Sequence, residues 1–331
     1  MNRTTLGRTG IEVSEYCLGT MTFGTQTSEN DSHTQIEMAL EAGIDFLDTA
    51  EMYPVNPVLK ETVGRTEEII GNWNAKSGRR SEVVIATKHS GQGGFVRPGR
   101  PITKDTIEGT LNGSLKRLQT DYVDLYQLHW PNRGSYHFRQ NWGYDPSKQP
   151  SQDAVFDEMC GILEKLKEME AAGKIRSFGL SNESAWGTMK WIEAAKITGG
   201  PRVATMQNEY SMLCRLYDTD LAETACQEDI TLLAFSPLAC GYLTGKYQGG
   251  TIPEGSRKSI GAYMGGRASP RVDDATDAYI AIAKKHALDP THMALAWTLT
   301  RPFPTIPIFG ATTNDQLSHI LNGLDINLNE D

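Results

Sequence analysis

The sequence predicts an α/β chain folded as a (β/α)8, or TIM, barrel. Three observations lead there. Short apolar, β-branched runs alternate with helical patterns, and alternation of that kind argues a parallel sheet. Eight such strand units can be counted, the number that closes a barrel. The strand runs carry apolar residues on both faces, as strands covered on both sides require.

The elements follow in order. Tyr16–Met21 reads as the first barrel strand. Gln35–Ala42 reads as part of a helix closed by Gly43. Ile44–Asp48 is the second strand, Gly64–Trp73 has helical spacing, and Val83–Thr87 is the third strand. Lys104–Leu118 is helical with Thr103 as its N-cap. Tyr122–Leu128 is the fourth strand, and Asp153–Ala172 is a long amphipathic helix stopped by Gly173. Ile175–Leu180, helix Ser184–Lys196, Val203–Gln207, helix Asp218–Gln227 and Thr231–Phe235 complete strands five to seven. Helical pattern returns at Asp274–His286 and Met293–Leu299. Thr305–Phe309 is the eighth strand and Asn314–Leu321 the last helix.

An open doubly wound sheet is the structural rival. It would usually show Gly-x-Gly-x-x-Gly after a strand, and Gly91-Gln92-Gly93-Gly94 does not match that spacing. Arg3–Leu6 and Ile11–Val13 flank Gly7-Arg8-Thr9-Gly10 and read as a hairpin across the barrel bottom. No linker divides the chain, so one domain over 1–331 is expected. Two long segments interrupt the pattern, Pro131–Gln152 after strand four and Gly245–Val272 after strand seven. Both fall on the face where barrel active sites form. The first holds Tyr136, Phe138, Trp142 and Tyr144, and reads either as a substrate lid or as a surface insertion.

Composition excludes several classes. A net charge of −9 lacks the footprint of a nucleic-acid binder. The five cysteines are widely spaced with no Cys-x-x-Cys, which argues against disulfides or a thiolate zinc site and for a reducing compartment. No run approaches the ~18 apolar residues of a membrane span, and no leader is evident, so a cytoplasmic protein without membrane contact is expected. The seven histidines form no His-x-x-x-His pair, and no metal site is expected. No coiled coil or interface stripe stands out, which leaves the oligomeric state open.

Asp48, Lys88 and His129 stand at or just past the ends of strands two, three and four, and Tyr53 lies five positions after Asp48. Singly, each has an ordinary reading: a helix cap, a solvated lysine, a structural histidine, a packed tyrosine. Together they converge on one barrel mouth. Free tyrosine, with a pKa of ~10, is a poor acid at neutral pH. An ammonium at about 4 Å and an effective dielectric of ~20 attracts the phenolate by ~4 kcal/mol. At ~1.4 kcal/mol per unit, Lys88 is expected to lower the Tyr53 pKa by up to about three units. Asp48 would keep Lys88 charged, and neutral His129 would position a carbonyl. The set suits carbonyl reduction and lacks the nucleophile of acyl transfer.

Ordered segments carry a family resemblance along nearly the whole chain: Leu18-Gly19-Thr20-Met21, Asp48-Thr49-Ala50-Glu51-Met52-Tyr53, Thr87-Lys88 and Asp124-Leu125-Tyr126-Gln127-Leu128-His129-Trp130. Gly173-Lys174-Ile175-Arg176, Gly179-Leu180-Ser181-Asn182, Gln207-Asn208-Glu209-Tyr210, Phe235-Ser236-Pro237-Leu238-Ala239 and Gly310-Ala311-Thr312 continue it. The chain resembles the aldo-keto reductases, in particular bacterial Tas-type members and the β subunits of voltage-gated potassium channels. The resemblance implies a barrel that reduces an aldehyde or ketone with NADP(H), NAD(H) being the weaker choice. It implies Tyr53 as general acid, supported by Lys88 and Asp48, with His129 orienting the carbonyl.

It further implies that Ser181, Asn182 and Gln207 bind the nicotinamide carboxamide and that Phe235 stacks on the ring. Thr20, Met21 and Asp48 would lie near the nicotinamide and its ribose. The run Ser236, Pro237, Leu238, Ala239, Cys240 and Gly241, with Lys246, would hold the pyrophosphate. Gly310, Thr312, Gln316 and Arg257 would meet the adenosine end, where a guanidinium suits a 2′-phosphate. Met21, Tyr53, His129 and Trp130 would face the substrate. The chain departs from the family where His319 and Ile320 replace the usual adenine-contacting Glu and Asn, and where Met21 replaces a frequent Trp. The channel likeness implies an alternative, a cofactor-binding regulatory or redox-sensing subunit. Channel subunits carry Asn at the place of His129, which favours the enzyme.

Overall fold

The computed structural model describes residues 1–94 and 96–329. Eight parallel strands close a barrel: β3 (Cys17–Gly19), β4 (Phe46–Asp48), β5 (Val84–His89), β6 (Leu125–Leu128), β7 (Phe178–Ser181), β8 (Val203–Glu209), β9 (Thr231–Phe235) and β10 (Thr305–Phe309), with β10 pairing back onto β3. The expected (β/α)8 architecture is the observed one. Around it lie α1 (Glu29–Glu41), α2 (Arg65–Ser77), α3 (Lys104–Leu118), α4 (Gln152–Ala171), α5 (Ala185–Thr198), α6 (Asp220–Glu228), the one-turn α7 (Arg257–Ile260), α8 (Pro270–Lys285), α9 (Pro290–Leu299) and α10 (Asn314–Leu321). No helix among the described residues is long and apolar enough to cross a membrane.

The hairpin forms as expected from β1 (Arg3–Thr5) and β2 (Glu12–Ser14). Its apolar residues Leu6, Ile11 and Val13 pack against Cys17, Phe46, Ala86, Leu125, Leu233 and Ile306, closing the N-terminal end of the barrel. A second and larger core fills the layer between strands and helices, with Leu18, Ile36, Leu47, Ile69, Ile85, Leu111, Leu166, Phe178, Ile192 and Leu232 among its members. Burying so much apolar surface at ~25 cal/mol per Å2 is what commits the chain to this layering.

Element ends differ from the sequence reading for local reasons. α1 begins at Glu29, well before Gln35, because Ser28 caps it by accepting the Asp31 N–H. The first turns are built from polar residues, the buried Ser32 included, so they carry no apolar period. β3 stops at Gly19, short of Met21, because Thr20 turns its N–H onto the Asp48 carbonyl outside the ladder. The segment after β9 is less open than expected: it contains α7, and Pro270–Val272 already belong to α8, capped by Ser269.

Candidate active site

Parallel strands bring their C-terminal ends to one rim, and that rim collects Asp48, Lys88, His129 and Tyr53. Asp48 ends β4, Lys88 lies near the end of β5, His129 follows β6, and Tyr53 sits on the loop after β4. Lys88 is completely buried, and its Nζ donates to Asp48 Oδ2 and to the Thr49 carbonyl, each at 2.7 Å. The other Asp48 oxygen, Oδ1, accepts Gln207 Nε2 at 2.8 Å and Gln127 Nε2 at 3.4 Å. The Lys88 ammonium lies 4.8 Å from the centre of the Tyr53 ring. The His129 ring meets Tyr53 edge-on, 5.8 Å between centroids. The four residues are therefore one contact cluster.

The electrostatics depart from the sequence reading at Tyr53. Burial raises its pKa, Lys88 lowers it, Asp48 raises it again, and the net direction is upward. Lys88 offsets the desolvation of a buried phenol instead of carrying the group down toward neutrality. Burial also opposes the charge on Lys88, but Asp48 and Tyr53 more than compensate and its pKa rises. Burial, followed by the Lys88 charge, holds His129 well below the usual imidazole value, so it is a neutral ring at neutral pH. His129 Nδ1 is buried with no hydrogen-bond partner among the described residues.

At the neighbouring strand ends, Ser181 Oγ donates to the Gln207 carbonyl at 2.7 Å. Asn182 Nδ2 donates to the His129 carbonyl at 2.9 Å and to Ser181 Oγ at 3.1 Å. The side chains of Ser181 and Gln207 are thus engaged within the protein. Asn182 Oδ1 is a buried acceptor without a partner among the described residues. Thr20 gives its hydroxyl proton to the Asp48 carbonyl at 2.8 Å. Past β9 the backbone takes an unusual path: Ser236, Ala239 and Cys240 have φ of 55°, 48° and 57°, and Gly241 has 95°. Left-handed non-glycine residues are each strained by ~1–3 kcal/mol and gather at ligand sites. Lys246 folds over this turn, so close that a Cβ on Gly241 would stand 2.5 Å from its Cε. Burial lowers the Lys246 pKa.

Beyond the turn, Phe235 and Leu238 are half-buried, Pro237 is buried, and Arg257 opens α7 half-buried. Gly310 approaches β3 so closely that a Cβ would lie 2.7 Å from the Gly19 carbonyl oxygen. Thr312 donates both its N–H and its hydroxyl to Gln316 Oε1, at 3.1 and 3.0 Å.

Trp130 lies tilted beside His129, 5.0 Å between centroids, and meets Phe138 of the segment after β6 edge-on at 6.2 Å. Its Nε1 donates to the Gln92 carbonyl at 3.1 Å. Met21 is half-buried, with its sulfur 3.8 Å from Asn56 Nδ2. The aromatic segment divides in two. Ser135 donates to the Asn182 carbonyl, His137 bonds the Glu183 carbonyl at 3.0 Å, and Arg139 pairs with Glu209. Trp142, by contrast, stands 96% exposed. The base of the segment covers the rim, and its tip faces solvent.

Several residues of the site escaped the sequence reading. Gln127 bridges toward Asp48 and Gln207, and Glu51 accepts the Ser90 N–H at 2.6 Å and pairs with Arg97. A glutamine inside a strand has no spacing signal, and Glu51 lay unremarked within the segment that carries Asp48 and Tyr53. His292 and His319, unpaired by spacing, stack at 4.9 Å.

A closed parallel barrel whose rim holds a buried lysine–aspartate pair against a tyrosine and a neutral histidine defines an oxidoreductase class of barrel. The chain belongs to the aldo/keto reductase family, whose model matches residues 15–331. It is 44% identical to Protein tas of Escherichia coli (strain K12) over 325 residues, 97% of this chain and 92% of that protein. It is 33% identical to the uncharacterized oxidoreductase YrpG of Bacillus subtilis (strain 168), covering 100% and 93% of the two chains. A probable voltage-gated potassium channel subunit beta of Oryza sativa subsp. japonica is 30% identical, with 97% and 90% covered.

Proposed function

We propose that the chain reduces an aldehyde or ketone to an alcohol with NADPH. The observation that carries this reading is the buried Lys88–Asp48 pair beside Tyr53, with His129 held neutral. The residues fit a dinucleotide. The unpartnered Asn182 Oδ1 suits a carboxamide N–H, and the left-handed turn at Ser236–Gly241 with Lys246 suits a pyrophosphate. Ser181 and Gln207 would exchange protein partners to join Asn182. Phe235 offers a face for the ring, Thr20 and Met21 lie at its ribose side, and Gly310, Thr312, Gln316 and Arg257 serve the adenosine end. Bound there, the reduced nicotinamide supplies a hydride to the carbonyl carbon.

Tyr53 gives its phenolic proton to the carbonyl oxygen. Lys88 stabilises the phenolate that forms, and Asp48 keeps Lys88 charged and in place. His129, a neutral donor, orients the carbonyl, while Trp130 and Met21 wall the substrate side. Arg257 favours NADPH over NADH by meeting the 2′-phosphate. The test is NADPH oxidation by the purified chain with a panel of aldehydes and ketones. Tyr53→Phe should lose ~10^2-fold or more of turnover while NADPH binding persists. Equal turnover in that variant sinks the acid role. The likeness to a channel β subunit supports a second reading, a cofactor-binding regulatory or redox-sensing subunit. Tight NADPH binding without turnover of any carbonyl would favour it.

A further inference from the structure

We propose that Asp289, His292 and His319 form a binding site for one divalent transition-metal ion of the zinc or cobalt class. Asp289 is the N-cap of α9, His292 lies in its first turn, and His319 comes from the far end of α10. The fold brings their donor atoms within 4.8 Å of one another. Metal–nitrogen and metal–oxygen bonds of ~2.1 Å place donors around a tetrahedral ion about 3.4 Å apart. Asp289 Oδ2 and His319 Nε2 are 3.2 Å apart, and His292 Nδ1 stands 3.9 Å from Asp289 Oδ1.

The hydrogen bonds around the cluster prepare it for a cation. His292 Nε2 meets the His319 carbonyl oxygen at 2.7 Å. A carbonyl only accepts, so Nε2 carries the proton and Nδ1 of the neutral ring presents a lone pair. The group that Nδ1 faces is a carboxylate, itself an acceptor. Two acceptors turned toward each other cannot bond directly, and a cation between them would satisfy both. Asp289 Oδ1 accepts the Thr291 and His292 N–H groups at 2.8 and 3.2 Å. Those bonds satisfy the α9 N-terminus, fix the carboxylate and leave Oδ2 for an ion, the supporting arrangement metal ligands usually have. Gly323 packs directly on the His292 ring, where a Cβ would stand 2.1 Å from Nδ1, and so helps hold the imidazole in place.

Two imidazoles and one carboxylate without a thiolate select Zn2+, Co2+ or Ni2+ over Mg2+ or Ca2+. His319 is 54% exposed and Asp289 32%, which opens an entry path and a position for water. The ion would tie α9 to α10 one turn beyond Gln316, the residue that holds Thr312.

The test uses the tag-free, metal-stripped full chain, titrated with ZnCl2 by calorimetry and with CoCl2 by absorption. One ion per chain is expected, without the near-ultraviolet band of a cobalt–thiolate bond. Asp289→Asn keeps the helix cap and His319→Ala removes an exposed ring, so both variants should fold, and their metal-free melting curves check this. Each should weaken binding ~10-fold or more. Zinc should raise the melting temperature of the parent and not of the variants. Binding equal in parent and variants, a thiolate band, or no saturation by millimolar metal each overturns the proposal.

Discussion

Gln207 on β8 reaches across the barrel interior and donates to Asp48 on β4 at 2.8 Å, although 159 residues separate them. Lys88 grips the other oxygen of the same carboxylate. Breaking a buried pair by removing one partner typically destabilises by ~3–5 kcal/mol. Asp48→Asn should therefore destabilise strongly, because it strands the Lys88 charge. Lys88→Met should do less, since Gln207 still satisfies part of Asp48. The double variant should be more stable than the two single losses add up to, which urea unfolding of all four proteins measures. Strict additivity would show the pair to be uncoupled.

Tyr53 is protonated across neutral pH, its pKa raised by burial against the opposing pull of Lys88. Reductive kcat/KM should stay level through neutrality and fall only on the alkaline side, above the ordinary tyrosine value of ~10. Lys88→Met should move that limb further up, because the lowering influence is gone. A limb near neutrality in the parent would contradict the net upward direction.

His89 is buried behind the site, and burial followed by the Arg97 charge pushes its pKa down to about 3. In the unfolded chain imidazole titrates near ~6.5, so the unfolded state binds more protons below that value. The stability it contributes is complete above ~6.5 and declines as pH falls toward about 3, by up to ~1.4 kcal/mol per pH unit. His129 acts in the same direction. Urea midpoints of the parent should drop steeply on acidification, and His89→Asn should flatten the slope by one proton. An unchanged slope would remove His89 from the account.

Gly91 lies under Trp130, where an added Cβ would meet the indole at 2.3 Å. Gly91→Ala should push the ring out of its bed, an overpacking that typically destabilises by ~1–3 kcal/mol. Since Trp130 flanks His129, the KM for the carbonyl should rise several-fold with NADPH affinity unchanged. Indole fluorescence and steady-state kinetics together read this. A lower NADPH affinity with KM intact would place Trp130 on the cofactor side.

Regular, apolar elements were legible in the sequence: Thr231–Phe235, Thr305–Phe309, Lys104–Leu118 and Asn314–Leu321 have the expected bounds. Periodicity sees burial, and these elements bury one face or both. It does not see caps on polar turns, as at Ser28, or the point where a strand leaves its ladder, as at Thr20. Asp48, Lys88 and His129 were legible because strand ends are countable, and Tyr53 because it lies five positions past one of them. Gln127, Glu51 and the Asp289–His292–His319 group were not, because their partners come from distant elements that only the closed fold brings near. The direction of the Tyr53 shift was misjudged for the same reason: a pair distance can be guessed from sequence, but the depth of burial cannot.

The hairpin under the barrel has a bearing on proton traffic. Leu6, Ile11 and Val13 pack hydrocarbon across the floor, at the opposite end of the barrel from the rim that holds Lys88. In the proposed reaction, the hydrogen that Tyr53 gives to the product would be replaced from solvent at the rim, which Trp130 and Phe138 overhang. On that proposal, recharging the acid would follow product departure, and each turnover would reset once the mouth has cleared.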